Sequence, residues 1–355
     1  MPETPPTQLV VGRPSHGVAE YAADLAAAVR RRVPETVIEV VESPEEAEGV
    51  AARHGRVHLH VTDGLLGTSP EAAAERVRRL ADATRLSVTL HDLPQESDGE
   101  RNLPRRAAAY ASMVAGVCGV AVSSRHEAAL VREHLDPALD AVVVPLGTRV
   151  AEAPSGLSGS SGLSGSSGLA AVPHSAPDAL VVLVAGYVYP GKGHAEVVDA
   201  VAGLERAPGA SVEVVALGGV SAGHDAEAAE LGRRATAHGV RFRVTGYLDP
   251  EEYRRLCRSP GVPVVAHRHY SASRSLLDWA EQGRRPVVLD TRYTREMAAL
   301  RPGTLHLTAL DDLGAAIEAR RQDPRSTVLP PGHPIGPTLD DAARSSLAWW
   351  ETLPW

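Results

Sequence analysis

Short apolar runs alternate with helix-period stretches along almost the whole chain, and this alternation constrains the fold more than any other feature. Residues 8–12, 36–41, 57–61, 86–90, 117–122 and 141–144 read as strands. The first intervening helix starts at Val18, with Tyr21, Ala22, Leu25 and Val29 on one face. Others are expected at 44–53, 69–84, 104–116 and 127–135. Ser69 before Pro70 gives an N-cap and a proline at the first helical position, and Glu45 and Glu46 suit the positive end of a helix dipole. Strands separated by helices pair in parallel and need cover on both faces.

A second series repeats the pattern. Strands are expected at 179–185, 211–217, 240–245, 262–266, 286–289 and 304–307, with helices at 194–205, 226–237, 250–258, 273–282, 292–300 and 309–322. Between the two series, Ser155 to Leu169 repeats the unit GLSGSS. Gly/Ser sequence builds no core, and a flexible coil of this length spans about 20 Å. The chain therefore divides into a domain over 1–150, a linker or insertion over 151–176, native or engineered, and a domain over 177–337. The fold class is α/β, two Rossmann-like doubly wound parallel sheets facing a cleft. A last helix, 339–350, leads into a tail rich in tryptophan at Trp349, Trp350 and Trp355.

One turn stands out chemically. Gly186-Tyr187-Val188-Tyr189-Pro190-Gly191-Lys192-Gly193-His194 joins a strand end to a helix start, and Lys192 is the only lysine in the chain. Backbone N–H groups at a helix start favour an anion, and a compact ammonium reaches a phosphate. A solvated turn lysine is the ordinary alternative. The spacing is not that of a phosphate loop of the G-x-x-x-x-G-K-[ST] type, because Gly193 follows the lysine. Gly12 to Gly17 is a second glycine turn before a helix, where Gly17 lets a ligand approach the backbone; an ordinary strand-to-helix turn is the alternative.

Composition narrows the classes. A net charge of −8 argues against a general nucleic-acid binder, and 43% apolar residues fit a globular protein. Cys118 and Cys257 fall in different domains, so a disulfide framework is not expected and a reducing cytoplasm suits the chain. No apolar run reaches membrane-spanning length, and residues 1–7 lack a signal-peptide core, although peripheral membrane contact stays compatible with the sequence. His58/His60 and His267/His269 each share a strand face, but no Cys or carboxylate stands at ligand spacing, so no metal site is expected.

Taken together, these segments resemble the GT-B-fold glycosyltransferases of the family-4 type, over nearly the whole length. The resemblance is carried by SHGVAEYAADLA after the first strand, Thr89-Leu90-His91-Asp92, Pro145-Leu146-Gly147, Gly186 to Gly193, Gly246-Tyr247-Leu248 with Pro250-Glu251-Glu252, Ser271 to Pro286, and the tryptophan-rich 338–355, which resembles a final helix that crosses back onto the first domain. It implies an enzyme that moves a sugar from a nucleoside diphosphate donor, UDP- or GDP-sugar, to a hydroxyl acceptor with retention, without metal or other cofactor. On this likeness Lys192 meets the donor diphosphate and His91 the sugar. Gly186, Tyr187 and Leu248 line the donor site, with Leu248 beside the base. Ser271, Ser273 and Ser275 hold phosphate oxygens, or simply cap a helix. Asp278 takes the ribose hydroxyls and Glu296 faces the sugar, each with an ordinary surface carboxylate as its alternative. Domain closure would complete the site.

Two family positions differ here. Tyr187, Val188 and Tyr189 occupy the loop where the family has an arginine before the lysine. Of the family's two glutamates, the first falls on Tyr270 and the second on Asp278. These differences motivate an alternative, a non-catalytic nucleotide-sugar binder or partner subunit. A sugar-nucleotide epimerase ranks below both, because few acid/base carboxylates converge.

Overall fold

The computed structural model of the protein describes residues 4–13, 16–154, 179–205 and 209–355. The GLSGSS repeat, and Pro14 and Ser15 of the first glycine turn, lie outside the described residues. The chain forms two compact units. The first comprises Met1–Arg149, Tyr270–Arg274 and Pro337–Trp355, and the second Val150–His269 and Ser275–Gly336.

The first unit runs β1 (Thr7–Val11), α1 (Gly17–Arg32), β2 (Ile38–Val41), α2 (Pro44–Ala51), β3 (Arg56–Val61), α3 (Asp63–Leu66), α4 (Pro70–Ala83), β4 (Arg85–Leu90), α5 (Gly99–Val114), β5 (Gly119–Val122), α6 (Arg125–Leu130) and β6 (Val142–Val143). Its strands are all parallel, in the order β2-β1-β3-β4-β5-β6, so the order reverses between β1 and β3. Val57, Leu59 and Val61 enter the main core with Leu80, Leu86, Val88 and Tyr110. The opposite face of β3 carries His58 and His60, both buried.

The second unit runs β7 (Leu180–Ala185), α7 (His194–Ala202), β8 (Val212–Leu217), α8 (Asp225–Ala237), β9 (Val240–Val244), α9 (Pro250–Arg258), β10 (Val262–Val265), α10 (Arg274–Glu281), β11 (Val287–Leu289), α11 (Arg292–Leu300), β12 (His306–Thr308) and α12 (Leu313–Gln322). Its parallel order, β12-β11-β10-β7-β8-β9, reverses between β7 and β10. β7 is the central strand and is buried along its whole length, which explains its unbroken apolar run LVVLVA.

The chain ends in α13 (Leu339–Trp350), which packs on α1 in the first unit. Thr338 and Asp341 cap its start reciprocally, and Arg32 forks onto Asp340. Several helices differ from their sequence patterns: α3 is not expected from the pattern, and α12 starts at Leu313 rather than 309. α5 begins at Gly99, ahead of Pro104, because the Gln95 N–H bonds Asp98 and anchors a preceding 3₁₀ turn over Glu96–Asp98. The helix expected over 127–135 instead starts at Arg125, under the Ser124 cap, and widens to a π turn over Val131–Leu135.

Candidate functional site

In open parallel α/β sheets, ligands collect outside the strand C-terminal ends where the strand order reverses. In the second unit that place lies between the ends of β7 and β10. The β7–α7 turn fills it. Gly186 leaves the strand at φ +109°, and Gly191 and Gly193 also have positive φ. A Cβ on Gly193 would stand 2.2 Å from the Ala266 carbonyl oxygen, so only glycine lets the turn close on the end of β10. Arg268 N–H donates to the Gly191 carbonyl at 2.9 Å and ties the two segments.

Lys192 is half-buried in this turn. Its stem lies over Gly186, where an added Cβ would stand 3.0 Å from Cε, and Nζ lies 5.7 Å from the centre of the Tyr189 ring. The charge acts on its neighbours. Burial first, and then Lys192, lower His194 to about 3, and the same two causes hold His267 well below the ordinary histidine range. Both rings are therefore neutral near pH 7. His194 opens α7 and is buried with both ring nitrogens unpartnered. A pocket of about 170 Å³ opens beside the turn, lined among others by Tyr189, Gly191, His194, His224 and Glu227. The arrangement presents one cation, a helix N-terminus and neutral imidazoles, a set suited to an anion.

Elsewhere in the second unit, Tyr187 is exposed, and Leu248 is half-buried in the turn between β9 and α9, where Gly246 has φ +78° and Tyr247 is exposed. Asp278, on α10, accepts a 3.1 Å hydrogen bond from the Tyr253 hydroxyl of α9. Glu296 is half-buried on α11. Ser275 is buried within α10.

Ser271 and Ser273 belong to the first unit, because residues 270–274 are stitched into it. The Tyr270 carbonyl accepts from Gln95 Nε2 at 2.8 Å and pairs with His126 Nε2 at 3.0 Å. The Ser271 hydroxyl donates to Glu127 Oε1 at 2.5 Å, and Glu127 Oε2 accepts from Ser123 N–H at 2.8 Å. Ser271 thus has a carboxylate as its partner, which disfavours a phosphate at the same hydroxyl. Burial pushes the Glu127 carboxyl up to about 7, while the donors from Ser271, Ser123, Ser124 and Ala272 pull the other way. Ser273 is buried just before α10.

His91 follows β4 in the first unit and is buried. Its Nε2 lies 2.9 Å from His60 Nδ1, with the two rings nearly coplanar and their centroids 5.2 Å apart. Its carbonyl accepts from the Tyr110 hydroxyl at 3.1 Å. Burial lowers His91 to about 4, partly opposed by Asp92. His58 bonds Ser87 and Thr89 through its two nitrogens, and Trp349 and Trp350 of α13 lie over it. Asp92 takes φ +52°, the one described non-glycine residue in the left-handed region. Arg106 holds it: Nη2 donates to the Asp92 carbonyl at 2.6 Å, and the guanidinium also bridges Asp63 and Asp98. Gly17 is the exposed first residue of α1, and a Cβ there meets nothing within 4 Å. Packing therefore does not demand glycine at 17.

Four residues that matter here lie outside the sequence-based set: His60, Arg106, Glu127 and Gln95. His60 carried a signal, its shared strand face with His58. Ser124-x-x-Glu127 reads as helix capping and conceals the bond to Ser271. Among the described residues, no group of three or more His, Cys, Asp or Glu side chains is arranged to hold a metal, and no helix is long and apolar enough to cross a membrane.

No family model matches the sequence, and no curated protein matches it either. Solved structures do. The Anabaena protein HepE in complex with UDP and glucose is similar at 14% identity and TM-score 0.64, covering 97% of both chains. Sucrose-phosphate synthase from Thermosynechococcus elongatus is similar at 15% identity and TM-score 0.64, covering 97% of this chain and 91% of its own. The UDP-forming α,α-trehalose-phosphate synthase from Burkholderia vietnamiensis is similar at 12% identity and TM-score 0.53, covering 94% and 77%. With its two six-stranded parallel sheets, each covered by helices, the chain has the GT-B fold.

Proposed function

We propose that this chain is a glycosyltransferase that moves a sugar from a nucleoside diphosphate donor to a hydroxyl acceptor, with retention at the anomeric carbon. The observation that carries the reading is the β7–α7 turn, which backs the chain's single lysine over Gly186 at the reversal of strand order. There Lys192 neutralises the donor diphosphate and the charge that grows on it as the glycosidic bond breaks. Uracil is the base of first choice, because HepE is described with UDP and glucose. His91 acts on the donor sugar. Asp278, already accepting from Tyr253, takes a ribose hydroxyl; Leu248 and Tyr187 flank the base; Glu296 faces the sugar; Gly17 lets the substrate approach the start of α1.

Turnover of UDP-, GDP- and ADP-sugars, followed by release of the nucleoside diphosphate, tests this reading. Release or transfer by the wild type, lost with Lys192→Ala, supports it. Tight UDP binding with no turnover favours a non-catalytic binder instead. Tyr270 in place of a family glutamate, and the Ser271 hydroxyl committed to Glu127, speak for that second reading.

A further inference from the structure

We infer that His60 is a positioning residue that sets the tautomer and ring plane of His91. The inference rests on the role of His91 proposed above. The 2.9 Å contact joins His60 Nδ1 to His91 Nε2, and burial keeps both rings neutral near pH 7. One proton lies between two nitrogens, so the tautomers of the two rings are tied together. When His60 Nδ1 carries that proton, His91 Nε2 is the acceptor and His91 Nδ1 carries the ring's own hydrogen. In this arrangement the charge of Asp92, the next residue in the chain and paired with Arg106, acts on His91. His91 then offers a neutral N–H donor to an oxygen of the sugar.

The His60 and His91 rings lie within 17° of one plane and meet edge to edge through this contact, with centroids 5.2 Å apart. Two further contacts hold His60 in place. The Tyr21 ring meets it edge-on at 5.7 Å, and the His58 ring at 5.2 Å. His58 is anchored by Ser87 and Thr89 and covered by Trp349 and Trp350. The tryptophan-rich helix α13 thus closes a packed aromatic column whose inner end is His91. His60 does not itself touch substrate in this assignment.

Two variants of the chain separate orientation from simple packing. His60→Phe keeps a planar ring without a donor, and His60→Asn places an amide where Nδ1 stood. Nitrogen-15 chemical shifts of labelled histidine report the His91 tautomer directly, while calorimetry with UDP and donor turnover report function. The expected result is an Nδ1–H tautomer of His91 in the wild type and in His60→Asn, and a mixed or inverted one in His60→Phe. His60→Phe should also lower kcat about 10- to 100-fold, the range for lost orienting partners, with UDP affinity unchanged and His60→Asn restoring most of the rate. An unchanged His91 tautomer in His60→Phe overturns the inference whatever the activity. A changed tautomer with full turnover overturns the positioning role. If the wild type turns over no donor, the enzymatic reading fails, and the positioning role fails with it even where the tautomer result shows His60 and His91 coupled.

Discussion

The Ser271 hydroxyl donates a 2.5 Å hydrogen bond to Glu127 Oε1 across 144 positions of sequence, inside the first unit. Glu127 is fully buried, and its carboxyl titrates at about 7 rather than near 4.5. A carboxyl raised on folding adds stability that is fully present below pH 4.5 and is lost as pH rises through about 7. The span is roughly 3 kcal/mol at 1.36 kcal/mol per pH unit. Glu127→Gln keeps the neutral form at every pH. The difference in unfolding midpoint between wild type and Glu127→Gln should therefore grow in favour of the variant from pH 4.5 to 8. A difference that stays flat across that range removes the raised carboxyl.

The histidines of β3 and β4 work in the opposite direction. Burial lowers His58 to about 3 and His91 to about 4. A base depressed on folding adds stability that is present above its unfolded value, 6.5, and is lost as pH falls through the folded one. His91 accounts for about 3 kcal/mol over that window. Acid unfolding should set in below pH 6.5, and His58→Gln should shift its midpoint to lower pH. Near-ultraviolet circular dichroism of Trp349 and Trp350, which lie over His58, follows the transition.

Lys192→Ala should weaken UDP binding by at least about 10-fold, the loss expected from one charge-assisted contact of about 1.5 kcal/mol. Lys192→Arg should not restore it fully, because a planar guanidinium cannot repeat a stem laid over Gly186. Isothermal calorimetry with UDP reads both. Equal affinity in wild type and Lys192→Ala would remove the lysine from the donor site.

Gly193→Ala should destabilise the second unit by more than about 2 kcal/mol, since φ +88° alone costs an L-residue about 1–2 kcal/mol. The remainder comes from a Cβ 2.2 Å from the Ala266 carbonyl. Gly17→Ala meets no such obstacle and should leave the melting temperature within a degree or so, a surface-sized effect. Thermal melts of the two variants, run side by side, check the contrast.

Arg106→Met leaves Asp63, Asp92 and Asp98 without their shared cation. Breaking a largely buried charge network by removing one partner costs about 3–5 kcal/mol. Asp63→Asn in the same chain should recover part of that loss, which denaturant unfolding of the single and double variants measures. Additive losses would show that the guanidinium and Asp63 act independently.

Local pattern carried the elements. The run LVVLVA reads as a strand and is buried along its whole length, and α13 occupies the 339–350 span its periodicity marks. The shared face of His58 and His60 follows from strand alternation alone. What the pattern could not carry is the partner on the far side of a contact. Nothing near Ser271 announces Glu127, and Ser124 makes that glutamate look like an ordinary cap. Arg106 reads as one arginine among many on a helix, until three carboxylates from separate turns meet it.

By itself, the sequence determined two parallel α/β units and a lone lysine in a glycine turn, because strand and helix periodicity and turn chemistry are local properties written within a few residues. Only the tertiary structure decided which unit holds residues 270–274, which hydroxyl is spent on a buried carboxylate, and which histidine is braced by another. Those outcomes depend on burial and on hydrogen bonds between distant segments, and both exist only once the chain has folded.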